Sequence, residues 1–180
     1  MEFTPLSGIM MGTRSGNIDP SIVTFASTHL GKSPEEVVND LNKHSGLLAI
    51  SHGDSDMRSV EKRASSGDED AKLAIEMFVY TLVKHIAAMI VACGGSIDAL
   101  VFTAGIGEHS ALVRQKVIER LGSVLGSNIV LNAAMNAKNG NGSYGIINTN
   151  IDIEKNTVIL VIPTDEEIGI CQECEKLLRG

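Results

Sequence analysis

A chain of 180 residues, 43% hydrophobic and 21% charged, has the balance of a soluble globular protein and can bury a core without disulfides or metal staples. A formal net charge of −7 argues against nucleic acid as the main partner, and four Phe, two Tyr and no Trp leave little for stacking on single strands. Three cysteines and no signal-peptide pattern fit a reducing, cytoplasmic setting, and the longest apolar stretch, 71–93, carries Lys72, Glu76, Lys84 and His85, so no membrane span is expected.

The opening, residues 1–18, has no period and is rich in Gly and Pro (Pro5, Gly8, Gly12, Gly16), so it reads as a loop that begins in mid-structure. Asp19-Pro20 opens a helix that runs to Leu30 and stops at Gly31. Ser33-Pro34-Glu35-Glu36 is a capping box that starts a helix to about His44. Residues 47–50 fit a helix end or a strand. After a polar turn at 52–56, a helix is predicted over 57–64, broken by Gly67. Residues 70–92 form the longest helix, apolar around much of its circumference and therefore expected to be largely buried.

The pattern then changes. Residues 99–103 (ALVFT) and 157–162 (TVILVI) read as strands buried on both faces. Between them lie a Gly-rich turn at 104–108 and an amphipathic helix over 110–121, with Leu112, Val113, Val117 and Ile118 on its apolar side. A short strand at 128–131 and a loop or tight turn at Asn139-Gly140-Asn141-Gly142 follow. Residues 164–178 form a terminal helix with Thr164 and Glu167 as its capping box. Strand, helix, strand, strand, helix is α/β architecture with parallel strands at the sheet centre.

Ligands of open α/β sheets bind beyond the carboxyl ends of the strands. The turn Ala104-Gly105-Ile106-Gly107-Glu108 qualifies, either as a ligand loop or as a tight strand-to-helix connection. It lacks the Lys-Ser/Thr of a P-loop and the third Gly of a dinucleotide fingerprint. The second place is Pro163-Thr164-Asp165-Glu166-Glu167: capping and dipole pairing at the helix start account for Glu167, and for Asp165 and Glu166 they are weighed ahead of the other reading, in which a carboxylate faces the sheet end and holds Mg2+ directly or through water. Arg14, on a Gly-flanked loop, reads as a solvated residue or as a group that stabilises a transferring phosphoryl. Asp56-Met57-Arg58 reads as an N-cap with an exposed Arg. Cys171-x-x-Cys174 lies inside a helix with no second ligand pair, so two helical cysteines near a core are expected rather than a metal or redox site.

Taken in order, Phe3-Thr4-Pro5-Leu6, Met11-Gly12-Thr13-Arg14-Ser15-Gly16, Asp19-Pro20, residues 42–48 (NKHSGLL), Asp56-Met57-Arg58, residues 102–108 (FTAGIGE) and residues 163–167 (PTDEE) resemble the C-terminal half of an acetate kinase. The resemblance implies an α/β, actin-like ATPase (ribonuclease H-like) domain over 1–180, with the N-terminal domain absent. It implies reversible phosphoryl transfer between ATP and acetate, giving acetyl phosphate and ADP, with Mg2+ as cofactor and a homodimer as partner state. By the family pattern Arg14 is catalytic, and Asp56, Met57, Arg58, Gly105, Ile106, Gly107, Glu108 and His109 line the nucleotide site. Glu166 serves the metal. The sequence departs from the family at His109 and Asp165, where Asn is usual, and at Met57, where Phe is usual. Residues 133–148 carry no matching motif. An isolated half-cleft is expected to have little or no activity. The alternatives are a propionate or butyrate kinase domain, or a dimerisation module without catalysis. A dinucleotide oxidoreductase rests only on the Gly105 turn.

Overall fold

A computed structural model describes residues 3–125, 129–138, 144–149 and 157–179. The chain divides into two compact units, residues 1–96 with 116–124, and residues 97–115 with 125–180.

The first unit opens on a loop and continues through helices α1 (Ser21–Leu30), α2 (Pro34–Lys43), α3 (Gly46–Ile50), α4 (Met57–Ser65) and α5 (Glu69–Ala92). The helix starts follow the local chemistry. Asp19 accepts from the Ser21 amide, and Gly31 ends α1 in the left-handed region at φ 64°. Ser33 and Glu36 make both bonds of the capping box at α2. Asp68 caps α5 at the Ala71 amide. Residues 47–50, open between helix and strand in the sequence, are helical.

Helices α3 and α4 pack on the first half of α5, burying Leu47, Val60, Ala71, Ala74, Ile75, Phe78 and Val79. Each large side chain so buried contributes roughly 1.5–3 kcal/mol. Glu76 pairs with Lys116 at 2.6 Å and with Arg120, tying α5 to residues 116–120. The expectation that α5 is largely buried does not hold. Leu73, Met77, Tyr80, Met89 and Val91 are exposed, and the buried residues of α5 are Ala71, Ala74, Ile75, Phe78, Val79 and Ile90. By length and composition α5 could cross a membrane, and it is the one described helix that passes that test.

The second unit holds β1 (Ala99–Phe102), α6 (Ala104–His109), β2 (Val130–Leu131), α8 (Ala133–Lys138), β3 (Gly145–Ile146), β4 (Asn148–Thr149), β5 (Val158–Val161) and α9 (Glu166–Arg179). Helix α7 (Ala111–Leu125) runs through both units. The described sheet has the order β1-β5-β3, with β5 parallel to β1 and antiparallel to β3, and β2 pairs antiparallel with β4. The parallel pair sets Ala99 opposite Val158 and Phe102 opposite Val161. Asn148 extends the ladder through its side chain, accepting from the Ile159 amide and donating to the Thr157 carbonyl.

Several expectations need correction here. Strand β1 is buried on one face only: Phe102 is buried, whereas Ala99 and Val101 are exposed, as suits an edge strand. The Gly-rich turn at 104–108 is a short helix, α6, entered through Ala104 at φ 58°. Leu112 does not share the burial of Val113, Val117 and Ile118. The cap of α9 is Asp165, which accepts from the Ile168 amide at 2.9 Å, rather than Thr164. Helix α9 has no buried residue, so Cys171 and Cys174 are exposed and free instead of near a core. Asn128 and the 139–142 turn lie outside the described residues.

Candidate functional site

Arg14 sits on a loop whose backbone is held from several sides. The Ser15 amide donates to Leu41 O, Ser45 to Thr13 O, Leu47 to Met11 O and Leu48 to Gly12 O, each at 2.9 Å. Within the loop the Met11 amide donates to Arg14 O at 3.0 Å, and Thr13 Oγ1 donates to Asn42 O at 2.9 Å. Two glycines make this approach possible. Gly46 has φ 64°, and a Cβ there would stand 2.1 Å from Met11 O. A Cβ on Gly12 would stand 2.8 Å from Ser55 O, which places the Arg14 loop against the segment leading into Asp56. Residues 42–48 are therefore the cradle of Arg14, a role their sequence did not disclose.

The Arg14 side chain is half-buried, and its described polar contact is a weak one from Nη1 to Met11 Sδ at 3.7 Å. Among the described residues it takes part in no ion pair. It lines an open cleft of about 480 Å³ with Thr13, Glu35, Asn39, Asn42 and Lys43. A guanidinium carried on a fixed backbone, with unspent donors in a cleft, is suited to an oxyanion.

In the same unit, Asp56 caps α4 at the Arg58 amide, 2.9 Å away, and also grips the Arg58 fork, with Nη2 at 2.6 Å from Oδ2. The side-chain hydrogen bonds from Arg58, then its backbone bond, pull the Asp56 carboxyl down to about 2. A depressed carboxyl stabilises the fold above its ordinary value of 3.8, and that contribution is lost as pH falls toward about 2. Asp56→Asn is accordingly expected to flatten the acid limb of thermal stability between about pH 4 and pH 2, read by unfolding curves across that range. Met57 is buried at 4% exposure, so its side chain belongs to the core, and a ligand would meet only its backbone.

In the second unit, Gly105 and His109 are exposed, Ile106 and Gly107 are half-buried, and Glu108 is buried. Oε1 of Glu108 accepts from the Thr164 amide at 3.0 Å and from Thr164 Oγ1 at 3.2 Å. This tie brings the 105–109 segment to the residues just before α9. Glu108 thus spends its carboxylate inside the unit. A Cβ on Gly105 would meet nothing within 4 Å, and its φ is not positive, so the fold itself does not demand glycine there.

Glu166, first residue of α9, is exposed and has no hydrogen-bond or ion-pair partner among the described residues. No group of three or more His, Cys, Asp or Glu side chains gathers among them. That donor set fits Mg2+, which is commonly held by one or two carboxylates and completed by water and substrate phosphates, better than an all-protein cage.

Arg114 and Asn136 escaped the sequence reading. The signal was present: Arg114 lies four residues before Ile118 and three before Val117, on the apolar stripe of α7.

The described residues form a mixed α/β architecture, and the acetate kinase structures it superposes on have the actin-like ATPase fold. The chain belongs to the acetokinase family, whose profile matches residues 1–172. It is 46% identical over 177 residues to acetate kinase 1 of Neisseria meningitidis serogroup A, covering 98% of this chain and 43% of the relative. The crystal structure of Porphyromonas gingivalis acetate kinase superposes with a TM-score of 0.84 at 35% identity, covering 97% of this chain and 42% of that one. A propionate kinase from Francisella tularensis subsp. tularensis superposes with a TM-score of 0.82 at 43% identity, covering 94% and 41%. The chain thus spans about two fifths of the length of the relatives it matches.

Proposed function

We propose that residues 1–180 are the C-terminal, nucleotide-binding domain of a short-chain carboxylate kinase, with acetate as acceptor. The reaction moves the γ-phosphoryl of ATP reversibly to the carboxylate, giving acetyl phosphate and ADP. The observation that carries this reading is Arg14: a glycine-dependent cradle fixes its backbone, and its side chain makes no ion pair among the described residues. Propionate or butyrate as acceptor is the nearest rival, favoured by the likeness to a propionate kinase.

In this reading Arg14 offers its planar fork to the equatorial oxygens of the transferring phosphoryl, where charge is greatest in the transition state. Asp56 holds Arg58 in one orientation. The exposed backbone at Gly105 lets the ligand approach closely, and Glu108 keeps that segment in place through Thr164. Glu166 would hold Mg2+, which neutralises phosphate charge when bound. Because catalysis here is positioning from two sides, the chain alone is expected to bind nucleotide and turn over little or nothing. The exposed apolar residues of α5 support a homodimer as its working state, and the family reading supports a cytoplasmic enzyme.

Gly105→Ala separates this reading from a merely structural turn. The change leaves folding stability equal or raised by up to about 1 kcal/mol, since helical Gly is costlier than Ala and nothing obstructs a Cβ. ADP affinity should nevertheless fall, as read by calorimetry. Undiminished affinity would remove the backbone at 105 from the site.

A further inference from the structure

Arg114 is 1% exposed. A guanidinium in that position is tolerated only when its donors are matched. Nε donates to Asn136 Oδ1 at 2.7 Å and Nη2 to the Asn136 carbonyl at 2.5 Å. Nη1 donates to the carbonyls of Gly107 at 2.8 Å and Glu108 at 2.6 Å. Asn136 in turn donates from Nδ2 to the Ala111 carbonyl at 2.9 Å. One side chain of α7 therefore joins α6 to α8.

Two of these four described acceptors belong to the segment that carries Gly105 and His109. Helix α6 has six residues and is entered through a non-glycine residue at positive φ. So short a helix does not hold its own shape, and left-handed Ala costs roughly 1–2 kcal/mol, so the conformation has to be imposed by neighbours. The rigid fork of Arg114 imposes it from one side by fixing two successive carbonyls. Glu108 imposes it from another through Thr164. The face at Gly105 stays exposed.

We infer that Arg114 is a positioning residue for nucleotide recognition: it fixes the backbone of residues 104–109 through the Gly107 and Glu108 carbonyls and does not touch the ligand. The inference rests on the nucleotide reading above. Lysine at this position keeps the charge but cannot span both α6 carbonyls and Asn136 with one compact ammonium. Calorimetric titration of the full chain with ADP and Mg2+, with hydrogen exchange followed amide by amide, tests it. Arg114→Lys is expected to weaken ADP binding about 10-fold or more. Exchange should rise at 104–109 while protection at 71–79 is kept. A folded Arg114→Lys chain whose ADP affinity stays within about twofold of the unaltered chain overturns the inference. Should that variant not fold, Asn136→Ala decides, because it leaves both Nη1 bonds to α6 in place and removes the Nε acceptor and the bond to the Ala111 carbonyl that support them. Weaker ADP binding with faster exchange at 104–109 supports the inference, and unchanged binding with faster exchange overturns it. Failure of the unaltered chain to bind ADP overturns the nucleotide reading and this inference together, whereas unchanged affinity in the variants overturns this inference alone.

Discussion

Replacing Gly46 by alanine is expected to destabilise the first unit by about 2–5 kcal/mol and to displace the loop that carries Arg14. Two costs combine. A side chain at φ 64° is strained wherever it stands, and here the new Cβ would lie 2.1 Å from Met11 O, 2.8 Å from Arg14 O and 2.9 Å from Arg14 N. These are backbone atoms, so no rotamer change relieves the clash. The loop has to move, and the bonds from Ser45, Leu47 and Leu48 move with it. Gly31 supplies the control. It shares the φ of 64°, but a methyl added there would have nothing within 4 Å, so Gly31→Ala should cost only about 1–2 kcal/mol. Thermal unfolding of the two variants isolates the close approach: Gly46→Ala should melt several degrees below Gly31→Ala, at roughly 2–4 °C per kcal/mol. Equal melting temperatures would mean that the cradle is not rigid.

Arg14→Ala is expected to do the reverse, sparing the fold and abolishing the chemistry. Arg14 makes one weak described side-chain contact, so stability should change by no more than about 0.5 kcal/mol. An Arg that stabilises a transferring phosphoryl is worth about 10³–10⁵ in rate. In a polypeptide joining this chain to the remaining part of a full-length family member, acetyl phosphate formation should fall by that factor. Lysine should rescue little, because a point charge does not reproduce the bidentate fork. A variant retaining a tenth or more of the rate would remove Arg14 from the reaction.

The contrast between Gly46 and Arg14 shows what the sequence discloses and what it hides. Caps and stops were legible because they are local: Ser33 with Glu36, Asp68 before α5 and Gly31 after α1 each act within a few residues. The parallel pairing of the two apolar strands also followed from their composition. Burial did not, because it depends on what covers an element. Strand β1 is apolar throughout yet forms a sheet edge, and α5 and α9 are left with exposed apolar faces. The cap of α9 shifted to Asp165 because Thr164 is engaged by Glu108, a partner 56 residues away. Arg14 and the 105–109 segment stood out as residue types on Gly-rich loops. Their supports, Gly46 and Arg114, act through tertiary contacts that no local pattern contains, although a lone Arg on an apolar stripe was a readable sign.

Titration calorimetry of the folded 180-residue chain with ADP in the presence of Mg2+ is the most direct test of the nucleotide-binding reading. Saturable binding that weakens in Gly105→Ala and persists in Arg14→Ala is the expected result. No heat of binding at millimolar ADP, with the chain shown to be folded, would contradict it.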